Sequence, residues 1–102
     1  MSRPVKKRYV MKEPEFKHFR TVGRKGAMKT VLTIDEYETL RLIDVEGLTQ
    51  EECAEKMRVG RTTIQSIYSH ARYVLSDAMV NGKELIIDGG QFVYYDDAQL
   101  KR

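Results

Sequence analysis

Apolar residues recur at helical spacing over two stretches of the chain and cluster in short β-prone runs near both ends. Thr33-Ile34-Asp35-Glu36 has the spacing of a capping box, a hydroxyl for the amide three residues on and a Glu that reaches back. Tyr37, Leu40 and Ile43 then form one stripe, with Leu42 and Val45 on another side, so this helix needs neighbours on two faces. Gly47 is its natural stop. Thr49-Gln50-Glu51-Glu52 repeats the box and predicts a short helix from Gln50 to about Met57. A third helix should begin near Arg61. Ile64, Ile67, Tyr68, Ala71, Val74, Leu75 and Ala78 trace one continuous stripe along it, and Asn81-Gly82 ends it.

The two ends read differently. Tyr9-Val10-Met11 is a short β-prone run, Pro14 interrupts it, and Phe16, Phe19 and Val22 follow before a basic turn between Gly23 and Gly26. At the other end, Leu85–Ile87 and Phe92–Tyr95 flank Asp88-Gly89-Gly90, the pattern of a hairpin. Both runs are nearly continuous rather than alternating, which asks for burial on both faces. The expected organisation is mainly α with small β. A basic N-terminal arm with short strands covers residues 1–30, a three-helix unit 31–82, a C-terminal β-hairpin 83–96 and a polar tail 97–102.

Composition narrows the class. The chain has 102 residues, 41% hydrophobic and 32% charged, enough for one modest core. No run of about 18 apolar residues would span a membrane, and the basic start lacks the apolar stretch of a signal peptide, so a cytoplasmic location is expected. One cysteine excludes an intrachain disulfide, and Cys53 reads as a core residue. His18 and His70 fall in no ligand or triad spacing and read as surface residues. No Ser/His/Asp arrangement, phosphate loop or metal spacing converges, so no enzyme, cofactor or metal is expected.

Charge changes the picture more. The net charge of +3 conceals +8 over residues 1–30 and −5 over residues 31–60. From Lys56 through Ser76 there is no acidic residue. A polyanion is the expected partner of such a chain.

Between Gln50 and Ser69, Cys53, Ala54, Met57, Val59, Ile64 and Ile67 stand at the internal core positions of a DNA-binding helix-turn-helix, with only Arg58 to Gly60 left to make the turn. The stretch Leu32 to Met79, through Leu40-Arg41-Leu42, Glu46-Gly47-Leu48-Thr49-Gln50-Glu51-Glu52, Val59 and Thr63-Ile64, resembles the sigma-factor domain that reads the −35 promoter element. Over residues 3–92 the chain is similar to a small prokaryotic family of predicted DNA-binding proteins of unknown role. The likeness lies in the Arg-Pro start, Glu13-Pro14, the sigma-like helices, Gly82-Lys83 and Gly89-Gly90. What this resemblance implies is DNA binding. Two positions depart from the pattern. Arg58 stands where Gly is usual and must adopt a left-handed conformation at about 1 kcal/mol, or the turn differs. Gly60 stands where Ser usually caps the next helix, a loss of about a few tenths of a kcal/mol.

At about 100° per residue, the third helix turns Arg61, Thr62, Gln65, Ser66 and Ser69 away from its apolar stripe, and these are the expected base-edge contacts. Thr49, Lys56, Arg58 and Arg72, with Arg3, Lys6, Lys7 and Arg8 of the arm, are the expected phosphate contacts. The expected function is therefore sequence-specific binding of double-stranded DNA by a transcriptional regulator. The alternative is a sigma-like interaction module that docks on RNA polymerase without reading bases. A homodimer or a higher, even-numbered oligomer is also expected. The hairpin runs, with Val74, Leu75, Ala78 and Met79 of the long helix, leave more apolar surface than one small core covers. The competing explanation is that the N-terminal strands cover the hairpin within one chain.

Overall fold

The three helices form where the capping signals place them. In the computed structural model, which describes residues 6–96, α1 spans Ile34–Leu40 and continues as a π-helical turn over Arg41–Val45. The widened turn closes with the Glu46 amide on the Arg41 carbonyl at 3.0 Å. α2 spans Gln50–Met57 and α3 spans Arg61–Asn81. Both capping boxes are complete: Thr33 and Glu36 exchange bonds of 2.9 and 3.4 Å, and Thr49 and Glu52 bonds of 2.9 and 3.1 Å. Gly82 ends α3 in the left-handed conformation at φ 62°, where a Cβ would also overlap the Arg24 guanidinium.

α3 runs through both halves of the core. Its first turns place Ile64 against Leu42, Cys53, Ala54 and Met57. Its later turns place Ala71, Val74 and Ala78 against Val10, Leu32, Ile34, Leu85 and Ile87. Leu42 enters the first cluster, whereas Val45, expected on a second packed face of α1, is left in solvent.

The strands correct the expected hairpin. β1 (Arg8–Val10), β2 (His18–Phe19) and β3 (Lys29–Leu32) precede the helices; β4 (Glu84–Ile87) and β5 (Phe92–Tyr94) follow them. β4 and β5 do not pair with each other. β4 is the centre of a three-stranded sheet, antiparallel to β2 and parallel to β3, while β5 pairs in parallel with β1. The reason lies at Gly89-Gly90. The Gly89 carbonyl accepts the Ile34 amide at 2.9 Å, so the link crosses the start of α1 instead of folding back. A Cβ on Gly90, at φ 106°, would overlap Asp35 Oδ1 and stand 2.8 Å from Thr33 Cβ. Gly90 serves this close approach, not a two-residue turn.

Burial of the C-terminal runs follows from the same pairing. Leu85 and Ile87 are buried within the chain, in the core cluster with Val10, Leu32, Ala71, Val74 and Ala78, and β5 lies beside β1. The basic N-terminal segment is no detached arm from Arg8 onward, since β1, β2 and β3 are built into the two sheets. Arg3 and the expected tail over residues 97–102 lie outside the described residues. Among the described residues no helix is long and apolar enough to cross a membrane.

Candidate nucleic-acid interface

The start of α3 is fixed by local sequence. Arg58 closes α2 in the left-handed region, at φ 56° and ψ 43°, as its place in the turn requires. Val59 tucks its side chain against the cluster around Met57, and its amide bonds the Ala54 carbonyl at 3.1 Å. Gly60 then caps α3 in an extended conformation with no side-chain bond, so the first amides of α3 have no cap acceptor. Thr49, an expected phosphate contact, stands at the start of α2. There the Thr49 oxygen accepts the Glu52 amide, and its O–H is left to donate to another partner.

Beyond that turn, the five expected base-edge residues come together. Arg61, Thr62, Gln65, Ser66 and Ser69 are all exposed. Thr62, Gln65, Ser66 and Ser69 line one shallow open depression with His70. The sequence marks His70 only as a surface residue. Its Nδ1 meets the Glu36 carboxylate, whose other oxygen completes the α1 capping box. This bond pins the face of α3 to the start of α1. No sequence spacing connects the two residues, which is why the pair was missed.

The expected phosphate contacts divide. Lys56 and Arg61 are exposed and have no ion partner among the described residues; Lys6 and Lys7 are exposed ahead of β1. Arg72 is exposed but engaged: its Nε lies 3.7 Å from Asp44 and its guanidinium 5.3 Å from the Tyr68 ring. Tyr68 donates its hydroxyl to the same Asp44 at 2.6 Å, and this hydrogen bond holds the phenol above its usual pKa.

Arg8 departs from expectation. It turns inward, with its side chain 17% exposed and its guanidinium 3.7 Å from the buried Asp35, because its position on β1 faces the start of α1. Its Nε and Asp35 Oδ1 are both buried without a hydrogen bond among the described residues.

Arg58 is held from both ends of the chain. Its guanidinium lies 4.4 Å from the Tyr9 ring and 5.5 Å from that of Tyr95, and the two rings meet edge to face at 5.1 Å. Tyr95 also donates its hydroxyl to the Lys56 carbonyl. The turn between α2 and α3 is thus clamped by Tyr9 of β1 and by Tyr95, the residue after β5. Their distance in sequence left no signal of this clamp.

The molecule is thus a small three-helix protein with two minor sheets, whose long third helix carries no acidic side chain from Arg61 through Ser76. The chain belongs to the family described as protein of unknown function DUF134, whose model matches residues 1–95. It is similar to the UPF0251 protein Teth39_0655 of Thermoanaerobacter pseudethanolicus, 46% identical over 101 residues, covering 97% of this chain and 86% of the relative. A UPF0251 protein of Desulfitobacterium hafniense is 50% identical over 94 residues, covering 90% of this chain and 75% of the relative. One from Caldicellulosiruptor saccharolyticus is 46% identical over 94 residues, covering 92% and 67%. No solved structure matches the chain significantly.

Proposed function

We propose that this protein binds double-stranded DNA sequence-specifically as a transcriptional regulator, with α2 and α3 acting as a sigma-like helix-turn-helix and the first turns of α3 in the major groove. The observation that carries this reading is the exposed cluster Arg61, Thr62, Gln65, Ser66 and Ser69 within a window, Lys56 through Ser76, that holds no acidic residue. Arg offers two donors to guanine O6 and N7, Gln pairs with adenine N6 and N7, and Ser and Thr accept either base. Lys56, the amides at the start of α3 and the lysines before β1 take phosphates, which position without specifying. Arg58, braced by its two tyrosines, holds the turn that aims α3.

Selection from random duplex DNA, followed by anisotropy on the selected site, tests this. Enrichment of a defined motif is expected. Arg61→Ala or Gln65→Ala should weaken the selected site by about tenfold to a hundredfold, with far smaller loss on random duplex. Equal loss on every sequence would make both residues phosphate contacts. No enrichment at low salt, with retention on RNA polymerase, would replace base reading with the interaction module.

A further inference from the structure

Residues 56–76 hold no acid, yet the fold brings one to the edge of the reading cluster. Glu36, the third residue of α1, points across to α3 and meets Nδ1 of His70. Its other oxygen accepts the Thr33 amide at 2.9 Å, so the carboxylate cannot turn away without opening the capping box. Its neighbour Asp35 faces Arg8 instead. The His70 side chain is 65% exposed against 9% for that of Glu36. It lines the same shallow depression as Thr62, Gln65, Ser66 and Ser69. On α3, Ser66 and Tyr73 are its polar neighbours one turn away, and Arg72 is turned to Asp44. Among the described residues Glu36 is the one charged group with which the ring pairs.

The two charge states of this ring act oppositely on a polyanion. With Nδ1 on the carboxylate, Nε2 is the nitrogen left for another partner. A neutral ring donates Nδ1–H to Glu36 and offers Nε2 only as an acceptor, which a phosphate oxygen cannot use. The negative charge of Glu36 then stands uncancelled beside the cluster. A protonated ring donates at both nitrogens, so one N–H answers Glu36 and the other is free for a phosphate.

We propose that His70, held by Glu36, is a proton-linked phosphate contact, through which the protein takes up a proton from solvent when it binds DNA. The inference rests on the DNA-binding reading and adds to it a residue and a pH dependence. At about 100° per residue, His70 lies on the border of the polar face, on the side that α1 approaches, and not at its centre. A side chain there meets the backbone that flanks the groove, a contact that positions without specifying. Its effect is therefore the same on every sequence, unlike that of Arg61 or Gln65. A protonated ring also cancels the one acid that the fold sets against the cluster, so Glu36 and the phosphate favour the same charge state.

Anisotropy on the selected site and on a random duplex, at constant ionic strength between about pH 8 and pH 6, tests this; an imidazole is the side chain whose ordinary charge change falls in that range. Wild type should bind both duplexes about tenfold more tightly at the lower pH, within the limit of tenfold per pH unit for one linked proton. Its salt slope should steepen there by about 0.9, the release of one more counterion. His70→Gln keeps a donor for Glu36 but takes no proton, and should flatten the profile to within about twofold. Glu36→Gln preserves the capping box and removes the charge, so it should bind more tightly than wild type at the higher pH. His18, which pairs with Glu84 at 2.9 Å on the β2–β4 ladder, is the control, and His18→Gln should keep the wild-type profile. Circular dichroism at both pH values separates folding from binding. A flat wild-type profile, a rise that survives His70→Gln, or a Glu36→Gln variant no tighter than wild type overturns the proposal and leaves DNA binding intact. Failure to bind any duplex at either pH removes the DNA-binding reading, and this contact with it.

Discussion

Arg58 sets two physical effects against each other, and substitution separates them. In the left-handed region a residue with a Cβ carries a cost of about 1–2 kcal/mol that glycine avoids. Against this, the guanidinium sits 4.4 Å from the Tyr9 ring centre and 5.5 Å from that of Tyr95. At an exposed site such contacts contribute about 0.5–1 kcal/mol each, the nearer ring more than the farther. Arg58→Ala keeps the backbone cost and loses the rings, so it should destabilise by about 1 kcal/mol. Arg58→Gly loses the rings but releases the backbone, and glycine's extra freedom in the unfolded chain returns part of that gain. It should fall within about 0.5 kcal/mol of wild type and stand about 1 kcal/mol above the alanine variant. Urea unfolding of the three proteins measures both differences, and the Gly–Ala gap corresponds to about 4–8 °C in Tm for a domain of this size. If glycine is no more stable than alanine, the left-handed turn is not held in solution. If alanine equals wild type, the tyrosine clamp contributes nothing.

Thr49→Ala removes the acceptor for the Glu52 amide and should cost about 1 kcal/mol, while Thr49→Ser retains it; equal stability of the two would dismiss the cap. Ile64→Ala empties a position with no solvent exposure and should cost about 2–5 kcal/mol by denaturant titration. Burial pushes the Cys53 thiol up to about 11, so it stays protonated in the fold where the unfolded chain already ionises. Alkylation at pH 9 should therefore follow unfolding rather than run at the free-thiol rate, and the thiol's contribution to stability should fade as pH climbs above about 9. Removing residues 1–7 leaves Arg8 and β1 in place and should weaken binding to all duplexes and flatten its salt dependence; an unchanged slope would take Lys6 and Lys7 off the DNA.

The helices were legible because their signals are local. Two capping boxes, one long apolar stripe and Gly82 each lie within a few residues of what they determine, and the observed bounds of α2 and α3 match them. The strands were not, because β1, β2 and β5 are two or three residues long and their partners lie far away in sequence. Gly89-Gly90 is equally compatible with a turn and with a close crossing; only the position of Asp35 and Thr33 decides. The face of α3 could be read from its periodicity. Which of the expected basic contacts remain free could not, since Arg8 on β1 is drawn inward by Asp35 and Arg72 on α3 is shared with Asp44 and Tyr68.

The parallel pairing of Arg8–Val10 with Phe92–Tyr94 has a consequence for how the protein is made. β1 must wait for the much later β5 to leave the ribosome before the small sheet can exist, and closing so long a loop is slow. Until then Tyr9 has no Tyr95 beside it, and the α2–α3 turn lacks its brace. During synthesis the helices can form while the clamp stays open. A nascent copy has the sequence of α2 and α3 before it has Tyr95, so the Arg58 clamp can close only once β5 and Tyr95 have emerged.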